Sequence, residues 1–288
     1  MSPQERERAY SPSSCIGGHY QPYVAAYQTR SDDARADGTA LGATWSTQRY
    51  GKQAAQQISL CLPPASSCAP PASTGLLVFI HGGYWQELSA NDSLFPATAC
   101  IQRGLAFAAL DYTLAPAASV ADIVAECRWA LVWLFQHAQA LGVDASRIVV
   151  SGSSAGAHLA AMVAMAGALP DGQGGSFAVR AAVLVSGIYA LEPLVGTTIN
   201  TALALEPASA QQMSPALLPL RGFPKTLLCW GAVETEEFKR QSRDFAHALG
   251  TAGTPCESFE VPQRNHFDVI LDLTDASTRL GAATLSLF

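Results

Sequence analysis

Ile148-Val149-Val150-Ser151-Gly152-Ser153-Ser154-Ala155-Gly156 is the stretch on which the reading of this chain turns. Its β-branched opening predicts a buried strand, and the Gly-x-Ser-x-Gly that follows predicts a tight strand-to-helix turn with a serine at its apex. Holding a hydroxyl clear of a sheet requires a strained backbone position, and such a turn closes only if the residues two before and two after are tiny. Ser151, Ser153 and Ser154 lie close together, but Ser154 alone has glycine at both of those positions. The bland alternative is a Gly/Ser-rich loop without chemistry. The rest of the chain decides between the two.

A chain of 288 residues, nearly half of them apolar, has enough length for one large α/β domain with a substantial core. The formal net charge of −6 comes without a basic cluster, so neither nucleic acid nor an anionic membrane is an expected partner. A small-molecule substrate is expected instead, and a homodimer is compatible with the composition. The charged opening from Met1 to Tyr10 lacks the apolar core of a signal peptide, and no later run stays apolar for the length of a membrane span. The expected compartment is the cytoplasm. Seven cysteines are scattered without a C-x-x-C pair, several inside apolar runs, as expected of reduced core thiols.

Short β-like runs alternate with helical stretches, the pattern of a mostly parallel sheet with helices on both faces. Strands are expected at residues 57–62, 76–80, 105–110, 148–151, 181–186, 226–230 and 257–261. Between Ser119 and Leu141 the residues Val120, Ile123, Val124, Cys127, Ala130, Leu131 and Leu134 recur at three- and four-residue steps, predicting an amphipathic helix that Gly142 ends. Further helices are expected at residues 157–166 and about 236–249. Residues 63–75 are rich in Pro, Ser and Ala and read as an exposed loop. Residues 187–224, broken by prolines, read as a small cap, and the N-terminal segment (1–45, especially 20–27) as a second cover for the same mouth. The whole chain, 1–288, reads as a single domain.

A serine nucleophile needs a base to take its proton and a carboxylate to orient that base. When the nucleophile leads, the order along the chain is serine, acid, histidine, which is the order of the α/β-hydrolase fold. Of the histidines well beyond the elbow, His247 falls within a helical stretch and reads as a surface imidazole. His266 sits in Gln263-Arg264-Asn265-His266-Phe267-Asp268, a polar loop directly after the last strand, where a base is required. The loop after residues 226–230 offers three acids, Glu234, Glu236 and Glu237. Glu234 lies nearest the strand end and is favoured; the other two suit the first turn of a helix, where the dipole welcomes carboxylates.

The oxyanion formed during attack needs fixed donors. His81-Gly82-Gly83-Tyr84-Trp85 follows a predicted strand, and its paired glycines let backbone N–H groups turn toward the mouth. The expected donors are the amides of Gly83, Tyr84 and Ala155. His81 has no partner at metal-ligand spacing and reads as a brace for the loop, so no metal and no cofactor is expected. Tyr84, Trp85, Tyr189 and Phe267 flank these loops as candidates for an aromatic substrate pocket, with core packing as the alternative for each.

Together these motifs resemble the kynurenine formamidase (arylformamidase) family. The likeness rests on the H-G-G-x-W form of the loop at His81–Trp85, the elbow from Ser153 to Ala160, Glu237-Phe238-Lys239-Arg240-Gln241-Ser242, and Asn265-His266-Phe267. It implies the α/β-hydrolase fold, a catalytic acid at Glu234 where animal and fungal enzymes commonly carry aspartate, and hydrolysis of an aryl N-acyl group with N-formylkynurenine as reference substrate. A carboxylesterase or thioesterase using the same three residues is the alternative activity. A non-catalytic receptor is the third; such a receptor is expected to lack one of the three.

Overall fold

The computed structural model describes residues 1–64, 73–165 and 167–288. The expected loop at residues 63–75 therefore lies largely outside the described residues, as do Cys68 and the expected helix end at Ala166. The strands are β1 (Thr44–Arg49), β2 (Gln57–Leu62), β3 (Thr74–Ile80), β4 (Ala106–Leu110) and β5 (Val143–Ser153). A two-residue pair, β6 (Leu169–Pro170) and β7 (Ser176–Phe177), stands apart, and β8 (Ala181–Val185), β9 (Lys225–Val233) and β10 (Cys256–Asn265) complete the main sheet. The helices are α1 (Pro3–Ala9), α2 (Gln21–Ala40), α3 (Ala97–Ile101), α4 (Val120–His137) and α5 (Ala155–Ala164). They continue with α6 (Asn200–Leu203), α7 (Pro207–Gln212), α8 (Glu236–Thr251) and α9 (Arg279–Leu285).

The eight-stranded sheet has the order β1-β2-β4-β3-β5-β8-β9-β10. Only β2 runs against its neighbours; the pairs from β4 through β10 are parallel. This is the α/β-hydrolase fold. The central strands read as unbroken apolar runs because both faces are covered. Leu76, Val78 and Ile80 of β3 point into one core, with residues of α4, α5 and α8. Leu77 and Phe79 point into the other, with residues of α2, α3 and α9. The two-residue side-chain period of a strand divides the run between the layers.

Helix α4 begins where the sequence places it. Ser119 accepts from the Asp122 N–H at 3.2 Å while Asp122 Oδ2 accepts from the Ser119 N–H at 3.0 Å, a reciprocal cap that fixes the first turn. Cys61, Cys100, Cys127 and Cys229 are buried in the core, whereas Cys15 is exposed and Cys256 half-buried. No helix among the described residues is long and apolar enough to cross a membrane.

The chain's route through the sheet decides where a ligand can sit. From β3 it crosses to β4 on one side and then returns to β5 on the other. The loops leaving β3 and β5 thus diverge and open a crevice at the strands' carboxyl ends, the usual ligand position in open α/β sheets. The His81–Trp85 loop leaves β3, and Ser154 leaves β5.

Candidate active site

Ser154 occupies a backbone position that side chains rarely take, with φ 57° and ψ −121°. Two features hold it there. Its N–H donates to the Val185 carbonyl at the end of β8, 2.9 Å away. The flanking glycines are sterically required: a Cβ on Gly152 would lie 2.2 Å from the Gly156 carbonyl oxygen, and one on Gly156 would lie 2.0 Å from that of Ile80. Ser151, by contrast, is fully buried and donates its hydroxyl to the Val78 carbonyl at 2.9 Å, as a strand residue.

Glu234 follows β9 and is buried. Its Oε1 accepts from the Ser186 hydroxyl at 2.6 Å and from the Gly231 N–H at 2.5 Å. Its Oε2 lies 3.0 Å from His266 Nδ1. A buried carboxylate without donors is costly, and these three partners supply what water would otherwise provide. Glu236 instead lies near Lys239 and Arg243 on the exposed face of α8, while Glu237 binds Arg240 and receives the Tyr10 hydroxyl. The geometry thus brings Glu234 alone of the three acids to the histidine.

His266 follows β10 in a loop built by its neighbours. Asn265 Oδ1 accepts from the N–H groups of Phe267 and Asp268 at 2.8 and 3.2 Å, and the Asn265 N–H donates to Asp268 Oδ1 at 2.7 Å. Arg264 grips Asp272 through two hydrogen bonds of 2.9 and 2.6 Å, fixing the loop's far side. Phe238 packs edge-on against the His266 ring at 4.5 Å. An ionised carboxylate can only accept, so a proton on Nδ1 faces Glu234 and the lone pair of Nε2 is left for another group. Among the described residues no hydrogen bond joins the Ser154 hydroxyl to the His266 ring; both line one cavity of about 320 Å³.

The loop after β3 closes the other side. Gly83 has φ 86°, and Tyr84 and Trp85 follow at 49° and 61°, so three successive residues hold left-handed backbone. A Cβ on Gly82 would stand 3.3 Å from the Ser154 Cβ, which places the loop against the elbow. The N–H groups of Gly83, Tyr84 and Ala155 have no acceptor among the described residues. His81 is buried with its ring stacked on Tyr112 at 4.2 Å, and its Nδ1 faces the Gly82 carbonyl at 3.0 Å. That is the bracing position expected from the sequence. No group of three or more His, Cys, Asp or Glu side chains among the described residues could hold a metal ion.

Of the four aromatic residues expected to line a substrate pocket, the structure puts two there. Tyr84 and Phe267 line the cavity, whereas Trp85 and Tyr189 do not. Trp85 is fully buried in the core. Tyr189 is buried and stacked on Phe245 with ring centroids 4.2 Å apart, because its N–H and that of Ala190 are drawn to Gln241 Oε1, both at 2.7 Å. Large aromatic side chains beside a site serve core packing as readily as binding, and sequence spacing does not separate the two.

Sequence reasoning also misses residues. Ser186 reads simply as the end of a strand, yet with φ 52° it turns its hydroxyl onto Glu234. The N-terminal and 187–224 segments, both expected at the mouth, do reach the cavity wall, through Glu7, Tyr20 and Tyr27 and through Thr198 and Ile199. Tyr20 and Tyr23 both stack on Phe267, at 5.7 and 5.6 Å. The pairing of Tyr23 with Asn265 (3.0 Å) and of the Tyr27 hydroxyl with the Phe267 carbonyl ties α2 to the histidine loop.

The BD-FAE family profile matches residues 63–246. The kynurenine formamidase of Danio rerio is 30% identical over an alignment covering 100% of this chain and 97% of that protein. Among solved structures, a proposed thioesterase from Silicibacter sp. TM1040 superposes with a TM-score of 0.82 at 25% identity, covering 98% of this chain and 99% of that one. A propionate-bound esterase from Thermogutta terrifontis superposes with a TM-score of 0.63 at 27% identity, covering 81% of this chain and 93% of that one.

Proposed function

The chain belongs to the BD-FAE family and to the kynurenine formamidases within the α/β-hydrolases, and from that premise we propose that it hydrolyses aryl formamides through a formyl-enzyme on Ser154. A hydrolase of the formamidase and esterase class follows from the relatives. The choice of nucleophile rests chiefly on one observation, that Ser154 and a His266 backed by buried Glu234 share one cavity, and the choice of bond on the likeness to the kynurenine formamidases.

In this reading His266 Nε2 takes the Ser154 proton as Oγ attacks the formyl carbon. Glu234 holds the imidazole in the tautomer that can do so and stabilises the imidazolium that results. The N–H groups of Gly83, Tyr84 and Ala155 receive the oxyanion, each such donor being worth about 100-fold to 1000-fold in turnover. The C–N bond breaks as His266 returns the proton to the departing arylamine. Water, activated by the same imidazole, then cleaves the formyl ester and releases formate. No step calls for a metal.

Ester hydrolysis is the second reading, favoured by the likeness to the Thermogutta esterase, since the same groups cleave an acyl–oxygen bond. The deciding experiment compares kcat/KM for N-formylkynurenine, a neutral 2-formamidophenyl ketone and p-nitrophenyl acetate. Faster cleavage of either formamide supports the formamidase reading. Cleavage of the ester alone establishes the esterase.

A further inference from the structure

The cavity beside Ser154 has a one-sided charge. Its wall carries three carboxylates, Glu7, Glu87 and Asp92, and neither lysine nor arginine. Residues 65–72 and 166, outside the described set, are Ala, Ser, Cys and Pro and bring no charge of their own. Among the described residues, no cationic side chain forms an ion pair with any of the three. The same cavity holds Ser154, only 8% exposed, whose hydroxyl has no hydrogen-bond partner among the described residues.

The three carboxylates differ in spare acceptor capacity. Both oxygens of Glu7 are engaged by Thr198, one by its N–H at 2.9 Å and the other by its hydroxyl. Asp92 receives the Ser89 hydroxyl at 2.7 Å. Glu87 meets the Tyr20 hydroxyl at 3.4 Å from each oxygen, a weak contact that leaves most of its lone pairs unused.

Glu87 is also tied to the oxyanion loop. Its N–H donates to the Gly83 carbonyl at 3.0 Å, closing a turn whose first residue is a proposed oxyanion donor. Tyr20, at the Glu87 carboxylate, stacks on Phe267, the residue after His266. Glu87, Tyr20 and Phe267 thus form a rim that bridges the oxyanion loop and the histidine loop.

We propose that this rim selects the charge of the substrate: the site prefers acyl substrates whose leaving group carries a primary ammonium, received by Glu87 beside the Tyr20 and Phe267 rings, and disfavours those carrying a carboxylate. An ammonium offers three donors, and Glu87 has unused acceptors and the opposite charge to receive them. A carboxylate at the same wall meets like charge from Glu7, Glu87 and Asp92, with neither lysine nor arginine there to answer it. A leaving group bearing both charges, as an α-amino acid does, gains from one and loses from the other, so removing its carboxylate should improve it. The inference rests on Ser154 acting as the nucleophile of acyl transfer.

The test uses the full-length protein and three 2-formamidophenyl ketones whose side chains end in a primary amine, a methyl group or a carboxylate. Because Glu87 is exposed, the expected order of kcat/KM is amine, methyl, carboxylate with the extremes differing by about tenfold at low salt and converging as salt is added. Glu87→Gln should lower the amine-to-methyl ratio by about three- to fivefold. Glu87→Lys should put the carboxylate ahead of the amine. Equal rates for the three substrates, or an amine preference that survives Glu87→Gln, would overturn the inference while leaving the formamidase reading intact. If none of the three is cleaved while N-formylkynurenine is, the inference is overturned; if N-formylkynurenine is refused as well, the formamidase reading falls, and the same charge series built as aryl esters then tests Glu87, with the same order expected and equal rates again overturning its role.

Discussion

The Trp85 indole meets the His158 imidazole edge to face, ring centroids 5.1 Å apart and planes at 86°. Through this contact the loop carrying Gly83 rests on the helix that begins immediately after Ser154. His158 in turn places Nε2 2.7 Å from the Met213 carbonyl, so one buried imidazole joins the elbow helix to the oxyanion loop and to the 187–224 segment.

Because Trp85 is buried away from the cavity, Trp85→Ala should slow a formamide and an ester by the same factor, through a loosened loop. The emptied volume should also cost about 3–5 kcal/mol of stability, the usual loss for a large aromatic removed from a core. Chemical denaturation and paired kcat/KM values check both. A selective loss on the aromatic substrate would return Trp85 to the substrate wall.

His158 makes stability depend on pH. Burial lowers its pKa from 6.5 to about 4, and the hydrogen bond to Met213 opposes that only in part. Between those values the unfolded chain binds more protons than the folded one, so the stabilisation is whole above about pH 6.5 and is lost as pH falls toward 4. The expected decrease from pH 7 to pH 5 is about 2 kcal/mol in urea denaturation, at 1.36 kcal/mol per pKa unit. His158→Gln should flatten that part of the profile; an unchanged slope would assign the acid sensitivity to other groups.

Ser154→Ala should abolish turnover with the fold retained, whereas Ser153→Ala and Ser151→Ala should keep most activity. Ser151 serves the strand through its bond to Val78, so its loss should appear in stability, at about 1 kcal/mol. Mass spectrometry after a serine-directed phosphonate should find the adduct on Ser154. An adduct on Ser153 would move the nucleophile.

Glu234→Gln should lower kcat by about 10⁴-fold, as an amide favours the wrong imidazole tautomer, while Glu236→Gln should change little. Ser186→Ala is the subtler variant. It removes one of the two donors on Glu234 Oε1 and should reduce kcat about tenfold with KM nearly unchanged, since Ser186 acts through Glu234. A rise in KM at constant kcat would instead mark Ser186 as a substrate contact.

The elbow, the histidine loop and most strands are legible in the sequence because each is set by local chemistry. Gly152 and Gly156 can be nothing larger, the apolar runs can only be buried, and Ser119 with Asp122 writes its own helix start. Strand β1 is not legible because Thr44–Arg49 sits at the sheet edge with a half-polar pattern, where no apolar run marks it. Of three glutamates in one loop, position after the strand and the family resemblance both favour Glu234, the one that meets His266. Trp85 and Tyr189 are indistinguishable from Tyr84 and Phe267, since hydrophobicity and proximity in sequence are the same for a ring in the core and a ring on a cavity wall.

By itself, then, the sequence determined the sheet-and-helix framework and the turn that lifts Ser154 out of it, because both depend on backbone sterics and on the burial of contiguous residues. The tertiary structure alone decided that Ser186 holds Glu234, and that Glu7, Glu87 and Asp92 share a wall with Ser154. Those relations join residues up to about 150 positions apart, and a carboxylate's role is set by the donors and charges that folding brings within a few ångströms of it.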